Sequence, residues 1–140
     1  MAATIRGVEY FYLTVRDRPG ESYRLLSQMA SLGVDLLAFS AIPMGSETTQ
    51  LTLFPAQAGR LQAAAESGGL ALSGPQHAFL IQGDDELGAL VGIHRKLAEA
   101  QINVFASSGV TDGQGGFGYL IYVRPQDYEQ ASRVLAVPSP

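Results

Sequence analysis

Two short loops hold the residues best suited to chemistry. The first reads Asp17-Arg18-Pro19-Gly20 and the second Asp84-Asp85-Glu86-Leu87-Gly88, and each delivers the chain into a segment of helical period. A helix beginning there presents backbone N–H groups with no intrahelical partner, which favour an anionic group such as a carboxylate. Glycine at positions 20 and 88 suits that role because, without a Cβ, a ligand can approach the backbone closely; a tight turn asks for glycine for its own reasons. Arg16 and Arg18 flank the first loop and can attract a carboxylate or pair with Asp17. Asn103, at the start of a strand, offers both a donor and an acceptor.

Other constellations read better as structure. Asp84-Asp85-Glu86 has the look of a divalent-metal cluster, but acidic residues in a first helical turn complement the helix dipole, and capping is the favoured reading. His77 and His94 are the only histidines and have no partners at metal or catalytic spacing, so both are read as structural. Gly113-Gln114-Gly115-Gly116-Phe117-Gly118 fits the dinucleotide fingerprint formally, yet it lies between two strands instead of opening a helix and reads as a hairpin turn. There is no cysteine, which removes disulfides, thiolate metal sites and cysteine nucleophiles. Nine Lys and Arg against 13 Asp and Glu give a formal charge of −4, the wrong balance for a phosphate-binding surface, so no nucleic-acid partner is expected. No window approaches a membrane span and the first residues lack a secretory core, so a soluble, cytoplasmic protein is expected, with no membrane partner. No nucleophile–base pair appears; the chain is read as a non-enzyme without metal or cofactor.

The elements that must position the two loops follow from periodicity. Tyr10–Val15 is an aromatic and β-branched run, hence a strand, and Leu25, Leu26, Met29 and Ala30 mark one stripe of a helix over residues 21–32 that Gly33 stops. Val34–Ile42 and Thr48–Phe54 form a hairpin, Gln57–Ser67 a second helix and Leu70-Ala71-Leu72 a short strand. The order β, α, β, β, α, β is the ferredoxin-like pattern, an α+β class with helices on one face of an antiparallel sheet. It begins again with strand Ala78–Gln82, helix Glu86–Ala100, strands Ile102–Val110 and Phe117–Val123, and helix Pro125–Leu135. An offset of 68 places Phe11 on Phe79, Asp17 on Asp85 and Gly20 on Gly88; Pro55 and Pro125 suggest that the offset grows to 70 through two residues gained in the second hairpin turn. Two units are expected, residues 8–74 and 76–137, joined by the connector Ser73–Gln76. The second lacks a full fourth strand, a place that Thr4-Ile5-Arg6 could take.

In the second repeat Leu87-Gly88-Ala89-Leu90, Ile93 and Leu97–Val104 resemble the signature of the ACT domain: strand, Pro-Gly loop, helix, then an Ile-Asn-Ile-like start of the second strand. The first repeat has the same frame, with Asp17–Gly20 as the loop and Leu32-Gly33-Val34-Asp35-Leu36 at the strand start. Leu87 stands where the family has proline, and Asp35 where it has asparagine. The resemblance implies units that pair side by side through their second strands and bind an amino acid where one unit's first loop meets the other's second strand. It implies no catalytic residue. On that arrangement site one joins Asp17, Arg18, Pro19 and Gly20 to Asn103 and Val104, and site two joins Asp84, Asp85, Leu87 and Gly88 to Asp35 and Leu36. Site one has an arginine for a zwitterion's carboxylate, whereas site two gathers carboxylates that welcome only the amine, so site one is expected to be the tighter. The function expected is a regulatory module sensing a small molecule, an amino acid first, that forms homo-oligomers and acts on a separate protein. The competing expectation is a ligand-free assembly module.

Overall fold

A computed structural model describes residues 3–138. The chain is α+β, with element order β1 (Thr4–Arg16), α1 (Glu21–Ser31), β2 (Leu36–Pro43), β3 (Thr48–Pro55), α2 (Ala58–Gly68), β4 (Ser73–Asp84), α3 (Val91–Glu99), β5 (Val104–Thr111), β6 (Gly116–Val123) and α4 (Pro125–Val134). It divides into two compact units, one of Glu9–Gln76 and one in which the residues up to Val8 join those from His77 onward. No helix among the described residues is long and apolar enough to cross a membrane.

In the first unit β3 lies between β1 and β2, with Phe11 opposite Leu53 and Leu13 opposite Leu51. Because strand side chains alternate in direction, these four share one face. Leu25 and Met29 of α1 and Leu61 and Ala64 of α2 close over them in a single apolar cluster. The stripe of α1 thus does what its spacing suggests, and Gly33, at φ 76°, turns the chain so that Val34 N–H bonds Met29 O.

The second unit repeats the scheme with Phe79 opposite Ile121 and Ile81 opposite Tyr119, covered by Ile93 and Leu97 of α3 and Ala131 of α4. The correspondence extends to irregularities, since the register shift between Leu36 and Ala38 recurs between Val104 and Ala106. The hairpin turns are equal in length, running from Pro43 to Thr48 and from Thr111 to Gly116, so the offset stays at 68 and no residues are gained there. Pro55 and Pro125 are not counterparts. Pro55 ends a strand, whereas Pro125 opens α4 at a position that needs no N–H donor.

Three further expectations are corrected. Leu70-Ala71-Leu72 is not a strand; Leu70 and Leu72 lean on the first unit's core from an irregular segment. The expected connector Ser73–Gln76 is the beginning of β4, where Gly74, at φ 137°, lies so close to Tyr10 O and the Phe11 ring that a Cβ would stand 3.0 Å from each. Finally, α3 starts at Val91 and not at Glu86, because Gly88 at φ 73° interrupts the helical path and residues 87–90 form turns.

The fourth-strand place of the second unit is served by the start of β1. The Thr4 hydroxyl donates to Gln82 O at 3.3 Å, Ile5 packs on the second unit's core, and Gly7 passes directly under the Tyr128 hydroxyl, where a side chain would collide. Tyr128 is itself stacked on Phe79, with ring planes 7° apart.

Candidate functional site

Each of the two loops is anchored to the hairpin turn of its own unit. Asp17 N–H donates to Glu47 O at 2.8 Å, and Asp85 N–H donates to Gly115 O at 2.7 Å. The glycine-rich turn that fits the dinucleotide fingerprint therefore acts as the loop's support. Its shape is set by Asp112, whose carboxylate accepts from the N–H groups of Gln114 and Gly116, with Gly113 and Gly115 at positive φ. Those two backbone donors hold the Asp112 carboxyl below the usual carboxylate range.

Beyond this shared frame the loops differ. In the first unit the Glu21 carboxylate accepts from Arg18 Nε at 3.0 Å and Nη2 at 2.7 Å, and Arg24 Nη2 lies 3.0 Å away. Arg18 and then Arg24 lower the Glu21 carboxyl from its ordinary value. Arg18, expected to meet a ligand's carboxylate, is thus engaged by a carboxylate of the chain itself. Gly20 caps α1 at φ 86°. Pro19 lies in the turn before it, and Asp35 O accepts from Ala56 N–H just ahead of Leu36 at the start of β2.

In the second unit the loop borders a cavity of about 490 Å³. Asp85, Glu86 and Gly88 line it from the loop, Leu90 and Val91 from the start of α3, Gly109, Val110 and Thr111 from β5, and Phe117, Gly118 and Tyr119 from β6. Asp84, the last residue of β4, and Leu87, fully exposed, do not. The acidic run does not cap α3, which has no acidic residue in its first turn. Instead Asp85 and Glu86 stand at the cavity's rim.

Gly109 faces Tyr119 across the β5–β6 pair so closely that a Cβ would sit 2.7 Å from the ring; Gly118, the next residue of β6 on the other side of Tyr119, turns to the opposite face of the sheet, where a Cβ would meet nothing within 4 Å. The first unit carries Ala41 and Gln50 at the corresponding places, and Glu21 where the cavity has Ala89. Tyr119 is fixed by His94, whose Nε2 lies 2.8 Å from its hydroxyl. Asn103 and Val104 line a separate hollow of about 570 Å³ in the same unit, beside His94, Phe105 and Ser107.

The structure therefore brings Asp85 and Gly88 together with residues that pattern reading left aside: Val91, Gly109, Val110, Gly118 and Tyr119. The signal available was the replacement of Gln50 and Ala41 by glycine across the repeat. Among the described residues β2 pairs only with β3 and β5 only with β6. Each second strand is an edge. Among the described residues no group of three His, Asp or Glu side chains is disposed to hold a metal ion.

No family model and no curated protein sequence matches the chain. Solved structures do match. Protein BT0572 from Bacteroides thetaiotaomicron aligns with TM-score 0.77 at 13% identity, over 96% of this chain and 88% of that one. The regulatory subunit of aspartate kinase from Thermus thermophilus, in a ligand-free form, aligns with TM-score 0.66 at 12% identity, over 97% and 96%. A structure of aspartokinase alpha and beta subunits aligns with TM-score 0.56 at 20% identity, over 96% and 95%. At these identities the likeness is one of fold, and it extends over nearly the whole chain.

Proposed function

We propose that the chain is a regulatory module of two ACT-type units, corresponding to residues 8–74 and 76–137, that senses a small molecule, an amino acid in the first place. The observation that carries this reading is the cavity beside the Asp85–Gly88 loop. It has a size suited to a metabolite, mostly apolar walls and a few polar groups at defined places, the usual make-up of a small-molecule site. The fold shared with a regulatory subunit of aspartate kinase adds weight by analogy, which concerns the scaffold and not the site.

The module acts on a separate protein and works as a homo-oligomer. Support for assembly comes from β5, whose sequence Val104–Thr111 carries no charge and is exposed over nearly its whole length. An unpaired, uncharged edge is a template for another strand. A second copy there would bring new residues beside the cavity, since Gly109, Val110 and Thr111 belong to that same edge. The same edge supports the competing reading, assembly without a ligand. Titration calorimetry of the full chain against the twenty amino acids separates the two. A saturable heat for at least one supports sensing, and no heat from any of them, with a stable dimer by light scattering, leaves assembly as the function.

A further inference from the structure

We infer that the hollow beside the second half of α3 is a further binding site, separate from the Asp85–Gly88 cavity, and that its ligand class is small uncharged compounds bearing a primary carboxamide. No Asp, Glu, Lys or Arg lines it, so its polarity comes from His94, Asn103 and Ser107, set among apolar side chains such as Leu97, Ile102 and Val104. An ion entering it would leave water without a partner of opposite charge. His94 supplies the recognition. Its Nε2 is engaged by the Tyr119 hydroxyl, which is the ring's one hydrogen bond among the described residues. No buried side-chain polar atom there lacks a partner, so Nδ1 is open to solvent. A neutral imidazole carries a single N–H, which makes Nδ1 a donor or an acceptor according to the sense of the Tyr119 bond. A primary carboxamide has both N–H and C=O and meets either state. Its remaining groups match the Asn103 amide and the Ser107 hydroxyl, each of which donates and accepts.

The first unit provides an internal control. There Phe39, opposite Leu53, packs against the core, and its counterpart at an offset of 68 is Ser107, opposite Ile121. The same offset sets His94 on Leu26 and Asn103 on Asp35. Where the first unit has a ring, a leucine and a carboxylate, the second has less volume, no carboxylate and three hydrogen-bonding groups at one place. Loss of a packing ring by itself costs stability. Polar groups arriving together in the space it leaves point to an occupant.

Propanamide, propylammonium and propanoate share one body and differ in charge, and NMR titration of the full chain labelled with nitrogen-15 tests them. Propanamide is expected to move the His94 ring nitrogens and the backbone amides of Asn103 and Ser107 together, saturating below roughly 100 mM, the range open to so small a ligand, with the charged probes about tenfold weaker. The His77 ring is the reference and should not move. Ser107→Phe, which restores the first unit's residue, should abolish the response, and Asn103→Leu, at an exposed position, should weaken it about fivefold. A charged probe that binds as well as propanamide overturns the ligand class. A response that survives Ser107→Phe or is unchanged in Asn103→Leu overturns the site, the second variant deciding alone if the first does not fold. Silence at His94 throughout the titration does the same. Movement at Val91 and Gly109 instead puts the amide in the other cavity, which overturns this inference and leaves amino-acid sensing standing. A propanamide response in a chain that gives no heat with any amino acid removes sensing and leaves this site.

Discussion

His94 Nε2 stands 2.8 Å from the Tyr119 hydroxyl, a bond that ties the exposed flank of α3 to the wall of the cavity. Both rings also touch, at 5.8 Å between centroids. His94 occupies the place that Leu26 has in the first unit, so the second unit carries a polar link where the first carries a leucine. Tyr119→Phe removes the hydroxyl and keeps the ring. The expected cost is about 1 kcal/mol, read as a lower urea midpoint at unchanged slope. His94→Leu, which restores the first unit's residue, should cost at least as much as Tyr119→Phe, because it leaves the buried Tyr119 hydroxyl without its partner. No loss of stability in either variant would show that the bond contributes nothing.

The two glycines of the cavity wall should behave oppositely. Gly109→Val places a branched side chain against the Tyr119 ring, and overpacking of this kind costs roughly 1–3 kcal/mol. Gly118→Val meets no atom within 4 Å and puts a β-former into a strand, so stability should hold or rise slightly. Thermal melts of the two variants decide it.

Met29 and Leu97 are equivalent core positions of the two units, each almost wholly buried. Met29→Ala and Leu97→Ala should each lower stability by about 2–5 kcal/mol through lost contacts and the space left behind. Chemical denaturation followed by tyrosine fluorescence gives the numbers. A loss under about 1 kcal/mol at either site would contradict the core described here.

Glu21 is held below its ordinary value by Arg18 and Arg24. Its folded-state value lies under its unfolded one, so its contribution is present above the unfolded value and is lost as pH falls through the folded value. Carbon-detected NMR titration should find the Glu21 carboxyl titrating below the free glutamate range, and Arg18→Gln should move it upward. A Glu21 that titrates as free glutamate would contradict its pairing with Arg18 and Arg24.

Deleting the hydroxyl of Thr4 alone, as Thr4→Val, should have little effect, since its bond to Gln82 O is long and exposed. Ile5→Asp should destabilise by about 1–3 kcal/mol or more, because it sets an unpaired carboxylate against the second unit's core. The difference between these two variants, measured by thermal melts, separates the apolar contribution of the first strand from its hydrogen bonding.

Elements whose type depends on local patterning were legible without coordinates. The period of Leu25, Leu26, Met29 and Ala30 makes a helix wherever the chain goes, and Tyr10–Val15 or Phe117–Val123 suit a half-buried pleated surface in any sheet. The α+β class, the repeat at 68 and the two loops that enter helices came from the same source. What the sequence left undecided depended on residues distant in the chain. Ser73–Gln76 has the turn composition of a connector and becomes strand only because Tyr10 and Phe11 lie alongside it. The fourth-strand place of the second unit is served from residues more than seventy positions away, through Thr4 and Gln82, which no local pattern announces. Glu86 belongs to a helix by composition, but Gly88 at positive φ holds it one turn outside, on the rim of a cavity. That cavity is bordered by Gly109, which faces a tyrosine held by a histidine from another element. Sequence periodicity records which face of an element is apolar; space and charge at a site arise only where faces of different elements converge.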